Sequence, residues 1–475
     1  MAEPLRPFSI MQADQFGNPL ATDKNGQGVD GQESGTTGAN ARLPPTRRRT
    51  VLLSIFACSP VWGSEPGVGW RWALELSLRF RVIVLTHGFF REQIEQPFVS
   101  DLLSDPRREL AFHYFTPFKL GLHPHTQLNS RAYYTLWQWR ARAVVAALCR
   151  ETPIDLIHHL TWGTYRFPVF LGGAVVPLVL GPLGGGDVAP QRLYEGLPTR
   201  ERWREATRAF SLRLSRLDPF TQAGLRRATL IFCKTEETRR AIGPAHREKA
   251  HVAAEIGAPE VPESVRARLL ASGTDLDLAT ESRTPAQPFR LLYAGRLIGL
   301  KGVMLLLGTM KILCDRGRSV ELWLAGDGSL RSTLEEQVRA LGIAAQVRFL
   351  GSLERAALMD LYSDADVFFF PSLHDSSGNV VLEALSRGLP VLCLDLGGPK
   401  YYVNPECGIV IETAGLQRTE LDARFADAIE SLMDDPKLHL RMKQAAVEHA
   451  SVQTWSACVW GVYSQIEKTL AWSSN

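Results

Sequence analysis

Leu291-Leu292-Tyr293-Ala294-Gly295-Arg296 and Phe370-Pro371-Ser372-Leu373-His374-Asp375-Ser376-Ser377-Gly378-Asn379-Val380-Val381-Leu382-Glu383-Ala384 are the parts of the chain whose reading decides the fold. Each begins as a short apolar run, stops at a turn of small and polar residues, and passes into helical periodicity. A continuous run of Val, Ile, Leu and Phe is what a parallel strand buried on both faces looks like. Outward from these two, the same rhythm recurs at residues 290–294, 321–325, 347–350, 367–371, 391–394 and 408–411. Helices are expected between them at about 303–316, 330–341, 355–363 and 380–387.

An earlier series has the same character. Apolar runs at 51–57, 82–86, 110–115, 154–159, 177–181, 230–234 and 251–256 alternate with helices such as 69–79 and 131–149. The reading is α/β, with two Rossmann-like doubly wound domains in tandem and a cleft between the carboxyl ends of their sheets, where ligands of such folds bind. Residues 1–49, rich in Gly, Asn, Asp, Gln, Thr and Pro, read as a disordered tail. The first domain then covers 50–261, a linker 262–288, the second domain 289–449, and a helix at 450–475 ends the chain.

Composition narrows the function classes. At 475 residues, 45% hydrophobic and 22% charged, the chain has material for two sizeable cores. A net charge of +3 lacks the basic bias of a nucleic-acid binder. Seven scattered cysteines with no C-x-x-C pair argue against a zinc site or a disulfide framework, and for a reducing compartment. No apolar run is long enough to span a bilayer, and no secretory h-region opens the chain. A cytoplasmic protein is expected.

The second domain carries the chemistry. Ser376, Ser377, Gly378 and Asn379 would offer backbone N–H groups at a helix N-terminus, which suits a diphosphate. Glu383, one turn on, has two oxygens for adjacent ribose hydroxyls, and Asp375 on the turn suits the hydroxyls of a sugar. Arg296 and Lys301 project from one strand-to-helix loop, where two cations would neutralise a leaving diphosphate. Ala325-Gly326-Asp327-Gly328 ends a neighbouring strand. Asp275-Leu276-Asp277 and Asp364-Ala365-Asp366 match a D-x-D pattern, but one falls in the linker and the other before a buried strand, so no metal site is expected.

The order G-R…K-G, A-G-x-G, P-S-x(2)-acid-x(7)-E-A, G-x-P-V and G-G-P resembles the retaining family 4 glycosyltransferases of GT-B fold. The resemblance implies that Gly295, Arg296, Lys301 and Gly326 line the donor diphosphate and that Glu383 holds ribose. Asp375 stands where the family usually has Glu, a carboxylate shorter by about 1.5 Å of reach.

Ser59-Pro60-Val61-Trp62-Gly63-Ser64-Glu65-Pro66-Gly67-Val68-Gly69-Trp70, after the first strand, resembles a Gly-rich segment of a subset of the same enzymes. Gly67 and Gly69 are expected to bring the loop close to the donor, and Glu65 to hold an acceptor hydroxyl or order the loop. In Asp155-Leu156-Ile157-His158-His159-Leu160-Thr161 a histidine resembles the family's cleft histidine. Strand alternation sends only one of His158 and His159 there and leaves open which. Gly181-Pro182-Leu183-Gly184-Gly185-Gly186-Asp187 should border the cleft, with Gly185 and Gly186 on the acceptor side.

Residues 200–216 read as an amphipathic helix with Trp203, Phe210, Leu214 and Leu217 on one stripe and Arg200, Arg204, Arg208 and Arg213 elsewhere. Such a stripe more often packs on its own domain, with its arginines solvated. The alternative is peripheral contact with anionic lipid at the inner face of a membrane, delivering a lipid-linked acceptor.

The function implied is a retaining hexosyltransferase that moves a sugar from a nucleoside-diphosphate sugar, its co-substrate, to a hydroxyl without metal or other cofactor. A saccharide or lipid-linked saccharide in polysaccharide or glycolipid assembly is the acceptor class. A nucleotide-sugar epimerase and a non-catalytic nucleotide-sugar-binding subunit are the alternatives.

Overall fold

The computed structural model describes residues 47–118, 130–172, 175–274 and 287–472. Two parallel sheets organise it. The first contains β1 (Thr50–Ile55), β2 (Arg81–His87), β3 (Glu109–Phe115), β4 (Leu156–Thr161), β5 (Leu178–Leu183), β6 (Leu230–Cys233) and β7 (Ala250–Val252), in the order β3-β2-β1-β4-β5-β6-β7. The second contains β8 (Phe289–Ala294), β9 (Val320–Ala325), β10 (Val347–Gly351), β11 (Val367–Phe370), β12 (Val391–Leu394) and β13 (Gly408–Ile411), in the order β10-β9-β8-β11-β12-β13.

The apolar runs become central strands because both faces are covered. Every residue of β1, β4, β5, β9, β11 and β12 is buried. Leu53 of β1 pairs with Val84 on one side and His158 on the other. Leu291 of β8 pairs with Leu322 and Val367 in the same way. Each sheet therefore reverses direction beside its first strand, and the crevice at that reversal is where open parallel sheets bind ligands.

The helices that matter below are α1 (Ser64–Ser77), α2 (Arg131–Glu151), α3 (Thr199–Ser215), α4 (Glu263–Thr274), α5 (Val303–Asp315), α6 (Arg355–Asp364), α7 (Asn379–Ser386), α8 (Pro436–Val452) and α9 (Trp455–Thr469). α5 needs burial on more than one side, and its run Val303 to Leu307 is wholly buried. α9 returns to the first domain and packs on α1. Its buried residues Val459, Val462, Tyr463 and Ile466 follow the spacing i, i+3, i+4, i+7 of one helical stripe. At about 2 kcal/mol for each buried side chain, that stripe fastens the chain end firmly.

Three expectations change. The segment read as a linker carries α4, whose Leu269 is buried and whose Leu269 carbonyl accepts a hydrogen bond from Gln444 of α8 at 3.1 Å. The stretch Ser64 to Gly69, read as loop, is the start of α1. The apolar stripe of α3 does not pack inward. Glu201, Glu205, Leu212 and Ser215 form the buried face, while Trp203 (70% exposed), Phe210, Leu214 and Leu217 (79%) face outward. Arg208 is turned in with the glutamates, its side chain 14% exposed. Of the expected tail, residues 1–46 lie outside the described residues, while Arg47 pairs with Asp155 at 3.1 Å and Arg48 Nη1 donates to the Arg107 carbonyl at 2.6 Å; residues 473–475 of the expected C-terminal helix and Asp275-Leu276-Asp277 also lie outside.

Candidate functional site

At the reversal of the second sheet, β8 and β11 deliver their following loops side by side. Gly302 follows the 3-10 turn Gly299–Lys301 at φ +66°, and a Cβ there would lie 1.8 Å from the Pro371 carbonyl oxygen. Only glycine allows this contact. The N–H groups of Leu373 and His374 both donate to the Leu300 carbonyl at 3.0 Å, which zips the loops together.

The result is an ion pair: Lys301 Nζ lies 2.5 Å from Asp375 Oδ2, with both side chains 17% exposed. The other carboxylate oxygen, Oδ1, accepts from the N–H groups of Ser377 (3.2 Å) and Gly378 (3.0 Å). Burial by itself raises the Asp375 pKa, but Lys301 and those N–H groups outweigh it and hold the carboxyl below its ordinary value. Two of the amides expected to meet a diphosphate therefore serve Asp375. At the helix start proper, Asn379 and Val380 belong to the first turn of α7, where N–H groups lack intrahelical acceptors.

Glu383 sits in the second turn of α7 with its side chain 12% exposed. Its Oε1 is 3.1 Å from Arg355 Nη1, and Tyr362 Oη donates to Oε2 at 3.5 Å. Burial pushes the Glu383 carboxyl up, and Arg355 opposes it. Arg355 and Tyr362 both lie on α6, and no spacing in the sequence links that helix to Glu383. Arg296 is exposed, and among the described residues its side chain makes no hydrogen bond or ion pair; its carbonyl accepts from Tyr293 Oη and from the Ile298 N–H, each at 2.9 Å. Gly295 and Gly326 touch each other: a Cβ on Gly326 would come within 1.9 Å of the Gly295 carbonyl oxygen.

The first domain contributes a different set than expected. Neither His158 nor His159 reaches the cleft. His158 is fully buried, with Nε2 2.6 Å from the Gly181 carbonyl and Nδ1 3.2 Å from Tyr463 Oη of α9. His159 is held on the opposite face by Tyr134 Oη (3.0 Å) and Ser54 Oγ (3.1 Å). Alternation does separate the two rings, but β4 continues to Thr161, so the cleft edge falls further along the chain. Burial lowers His158 to about 4 and His159 to about 3, which keeps both rings neutral near pH 7.

Gly67 and Gly69 do not line a loop either. A Cβ at Gly69 would strike Ile55 Cγ2 at 2.4 Å, so Gly69 seats α1 on β1, while one at Gly67 would strike the Trp62 carbonyl at 2.7 Å, so Gly67 closes the turn that enters α1. Gly186 is buried against Thr238, whose Oγ1 accepts its N–H at 3.1 Å, and does not face the cleft. Gly185 stays at the edge, beside Thr164 and Arg166. Glu65 accepts the Gly163 N–H at 2.8 Å, and burial pushes its carboxyl up.

Two residues that sequence reasoning passed over join the domains. Lys234 Nζ and Glu255 Oε2 form a buried ion pair at 2.6 Å. The same Glu255 oxygen accepts from Ser377 Oγ at 2.8 Å, and Lys234 Nζ lies 3.3 Å from that hydroxyl. Their signal was positional, since both stand near the carboxyl ends of strands of the first sheet. Tyr401 Oη accepts the Glu236 N–H at 2.8 Å across the same boundary. Asp366, of the second D-x-D, uses Oδ2 to accept the Arg290 N–H at 2.8 Å.

Residues 277–449 match the family model described as glycosyl transferases group 1. Over 215 residues the chain is 34% identical to a D-inositol 3-phosphate glycosyltransferase of Corynebacterium diphtheriae, a match covering 41% of this chain and 48% of that protein. It is 29% identical over 184 residues to the lipopolysaccharide core biosynthesis glycosyltransferase LpsE of Rhizobium meliloti, covering 38% of this chain and 51% of the other. The matched stretch thus spans about half the length of these curated relatives. Among solved structures, Anabaena Alr3699/HepE in complex with UDP superposes with a TM-score of 0.52 at 18% identity, over 89% of this chain and 99% of that one. WaaG, a glycosyltransferase involved in lipopolysaccharide biosynthesis, gives 0.51 at 18% identity over 88% and 99%. These likenesses establish the fold as GT-B, and the match to the glycosyl transferases group 1 model covers the domain that carries Lys301, Asp375 and Glu383.

Proposed function

We propose that this protein is a glycosyltransferase that moves a hexosyl unit from a nucleoside-diphosphate sugar to a hydroxyl with retention of configuration. The observation that carries the reading is the meeting of Lys301 and Asp375 at the reversal of the second sheet, with Glu383 one helical turn beyond. Lys301 and the unpaired Arg296 supply cations for a departing diphosphate, where preorganised charge stabilises a transition state most. The first turn of α7 adds N–H donors. Glu383 offers carboxylate oxygens to the ribose. Retention follows from the family resemblance, with the leaving phosphate taking the acceptor proton and no metal ion or other cofactor assigned a step. Solved neighbours with UDP and UDP-glucose make uridine nucleotides the first donors to test. Relatives named for lipopolysaccharide core and inositol phosphate favour a saccharide, lipid-linked saccharide or polyol acceptor.

The test is a panel of nucleotide sugars scored for nucleotide release, with and without a membrane-lipid extract. Release that needs the extract and disappears in Lys301→Ala and Glu383→Ala supports transfer. An isomerised sugar formed without acceptor would replace transfer by epimerisation, and donor binding without turnover under any acceptor would leave a binding subunit.

A membrane contact is part of the reading because of α3. Among the described residues no helix is long and apolar enough to cross a membrane. The outward face of α3 instead combines Trp203, Phe210, Leu214 and Leu217 with Arg200, Arg202, Arg204 and Arg213, while its glutamates point inward. An apolar stripe flanked only by cations supports peripheral contact with the interface of an anionic bilayer, which for this reading is the inner face of the membrane. Sedimentation with anionic vesicles that does not fall in Trp203→Ala/Arg204→Glu would remove α3 from the picture.

A further inference from the structure

On the first-domain side of the cleft, two arginines are half-buried with little counter-charge. After β4 the chain runs Trp162-Gly163-Thr164-Tyr165-Arg166 and is fastened to the end of β5: Gly184 donates to the Gly163 carbonyl at 2.6 Å, and Tyr165 donates to the Gly184 carbonyl at 3.2 Å. A Cβ at Gly184 would sit 2.9 Å from Ser376 Oγ of the donor loop, and one at Gly185 would sit 3.4 Å from Arg166 Nε. Arg166 is therefore one residue along from the contact between the domains.

Arg166 Nε is buried without an acceptor, and Nη1 reaches only Ser211 Oγ, at 3.4 Å. Among the described residues no carboxylate pairs with it. Arg208 comes in from α3, donates through Nη2 to the Asp187 carbonyl at 2.9 Å, and has its nearest carboxylate oxygen, Glu205 Oε2, at 3.9 Å. The Asp187 carboxylate is turned to Thr235 Oγ1 at 2.6 Å. Burial pushes the carboxyls of Glu205 and Asp187 up, so they offset less charge than their number suggests. Across the gap on the donor loop, His374 Nδ1 is buried without a partner. Burial first, then Arg208, hold His374 at about 3, so the ring facing the arginines is neutral.

We propose that Arg166 and Arg208 form a second anion site in the cleft, which takes a phosphate or carboxylate group of a substrate beside the bond being made. The inference rests on the glycosyl-transfer reading, since it places a substrate group in the same cleft. Two half-buried guanidinium groups repel each other and lose part of their hydration, and an anion bridging them relieves both penalties. Their planar forks fit the paired oxygens of phosphate or carboxylate. Two sources share this chemistry: the carboxylate of a uronic acid as the donor sugar, or a phosphate on the acceptor.

The experiment is calorimetric titration of the UDP-saturated protein, in which the diphosphate site is already filled, with inorganic phosphate and with glucuronate. One further anion binds, at least tenfold more weakly in Arg166→Gln and in Arg208→Gln, which lie on different elements, and unchanged in the exposed control Arg339→Gln. Arg166→Lys, which keeps the charge, recovers most of the affinity. A preference for UDP-glucuronate over UDP-glucose that vanishes in Arg166→Gln assigns the donor carboxylate. Phosphate that binds on top of UDP-glucose assigns the acceptor. Absence of a second anion on UDP-saturated protein, or wild-type affinity in both glutamine variants, overturns the inference alone. Failure of UDP to bind at all overturns the donor-site reading and this one with it.

Discussion

Removing the ammonium of Lys301 leaves Asp375 as a buried carboxylate with only the N–H groups of Ser377 and Gly378 for partners. Breaking a buried pair from one side costs about 3–5 kcal/mol. The two remaining charge-assisted hydrogen bonds retain part of that, so Lys301→Ala should lose about 2–3 kcal/mol. The loss depends on pH, and its sign is fixed. In the wild type the folded pKa of Asp375 is depressed. The carboxylate therefore stabilises the fold fully above its unfolded value of about 3.9, and that contribution is lost as pH falls through the folded value. Without Lys301 the largest remaining influence is burial, which raises the pKa, and the folded state is then penalised as pH climbs above about 4. The gap between the two proteins should widen as pH rises through the ordinary carboxylate range around 4 and level off above it. Urea unfolding across that range, read at the transition that carries Trp323 of β9, measures it. Asp375→Asn in the Lys301→Ala background should abolish the widening. A difference that is independent of pH, or below about 0.5 kcal/mol as for an exposed pair, would refute the account of a buried, mutually dependent pair.

Glu383→Ala should weaken UDP binding by roughly 10- to 100-fold, the equivalent of about 1.5–3 kcal/mol for hydrogen bonds to a charged group; calorimetry showing less than about twofold would take the ribose away from Glu383. His159→Ala should lower stability by about 1–3 kcal/mol through the stranded Tyr134 and Ser54 hydroxyls while kcat/KM of the folded fraction stays within about twofold. A hundredfold loss of activity in a well-folded His159→Ala protein would return the ring to the chemistry. Because His158 and His159 titrate lower in the folded chain than their ordinary value, stability should fall as pH drops from about 6.5 towards 4, and replacing both by Gln should flatten that limb of a urea-midpoint profile. Gly302→Ala should cost more than about 3 kcal/mol or abolish soluble expression, since its Cβ would overlap the Pro371 carbonyl at a positive φ; a thermal midpoint within a degree of wild type would contradict that geometry.

The strands were legible because parallel strands buried on both faces leave unbroken apolar runs, and those runs ended within a residue or two of Ile55, Ala294, Phe370 and Leu394. The donor edge was legible for the same reason: a strand that stops at Gly-Arg or Pro-Ser before a helix is a local pattern. The histidines were not, because β4 runs two residues past His159, and a shift that small moves a side chain from the edge into the core. The glycines of α1 were ambiguous in principle. Close approach to a ligand and close approach of helix to strand demand the same missing Cβ, and here Ile55 is the neighbour. The stripe of α3 deceived in the opposite sense, since periodicity gives two faces but not which one is covered. The inward face holds Glu201 and Glu205. Arg355, Lys234 and Glu255 were out of reach because their partners lie 28, 21 and 122 positions away along the chain or on the other domain, where no spacing rule operates.

The domains are joined by two kinds of contact that differ in strength, and this bears on where substrates can enter. α9 is seated on the first domain by Val459, Val462, Tyr463 and Ile466, and the chain crosses so tightly there that a Cβ on Gly257 would lie 2.2 Å from the Trp455 amide nitrogen. At the mouth of the cleft the joints are polar: hydrogen bonds from Ser377 to Glu255 and from Glu236 to Tyr401, and an ion pair of Lys400 with Glu237 at 2.6 Å. Each nets only about 1–3 kcal/mol, because water or a ligand hydroxyl can replace it. Apolar burial offers no such exchange. The crossings at Gly257 and Trp455 are thus the fixed side, and the loop from Asp375 to Asn379 is the side that substrates can part. Glu255, whose oxygen accepts from Ser377 and lies 2.6 Å from Lys234 Nζ, is the first-domain end of that joint.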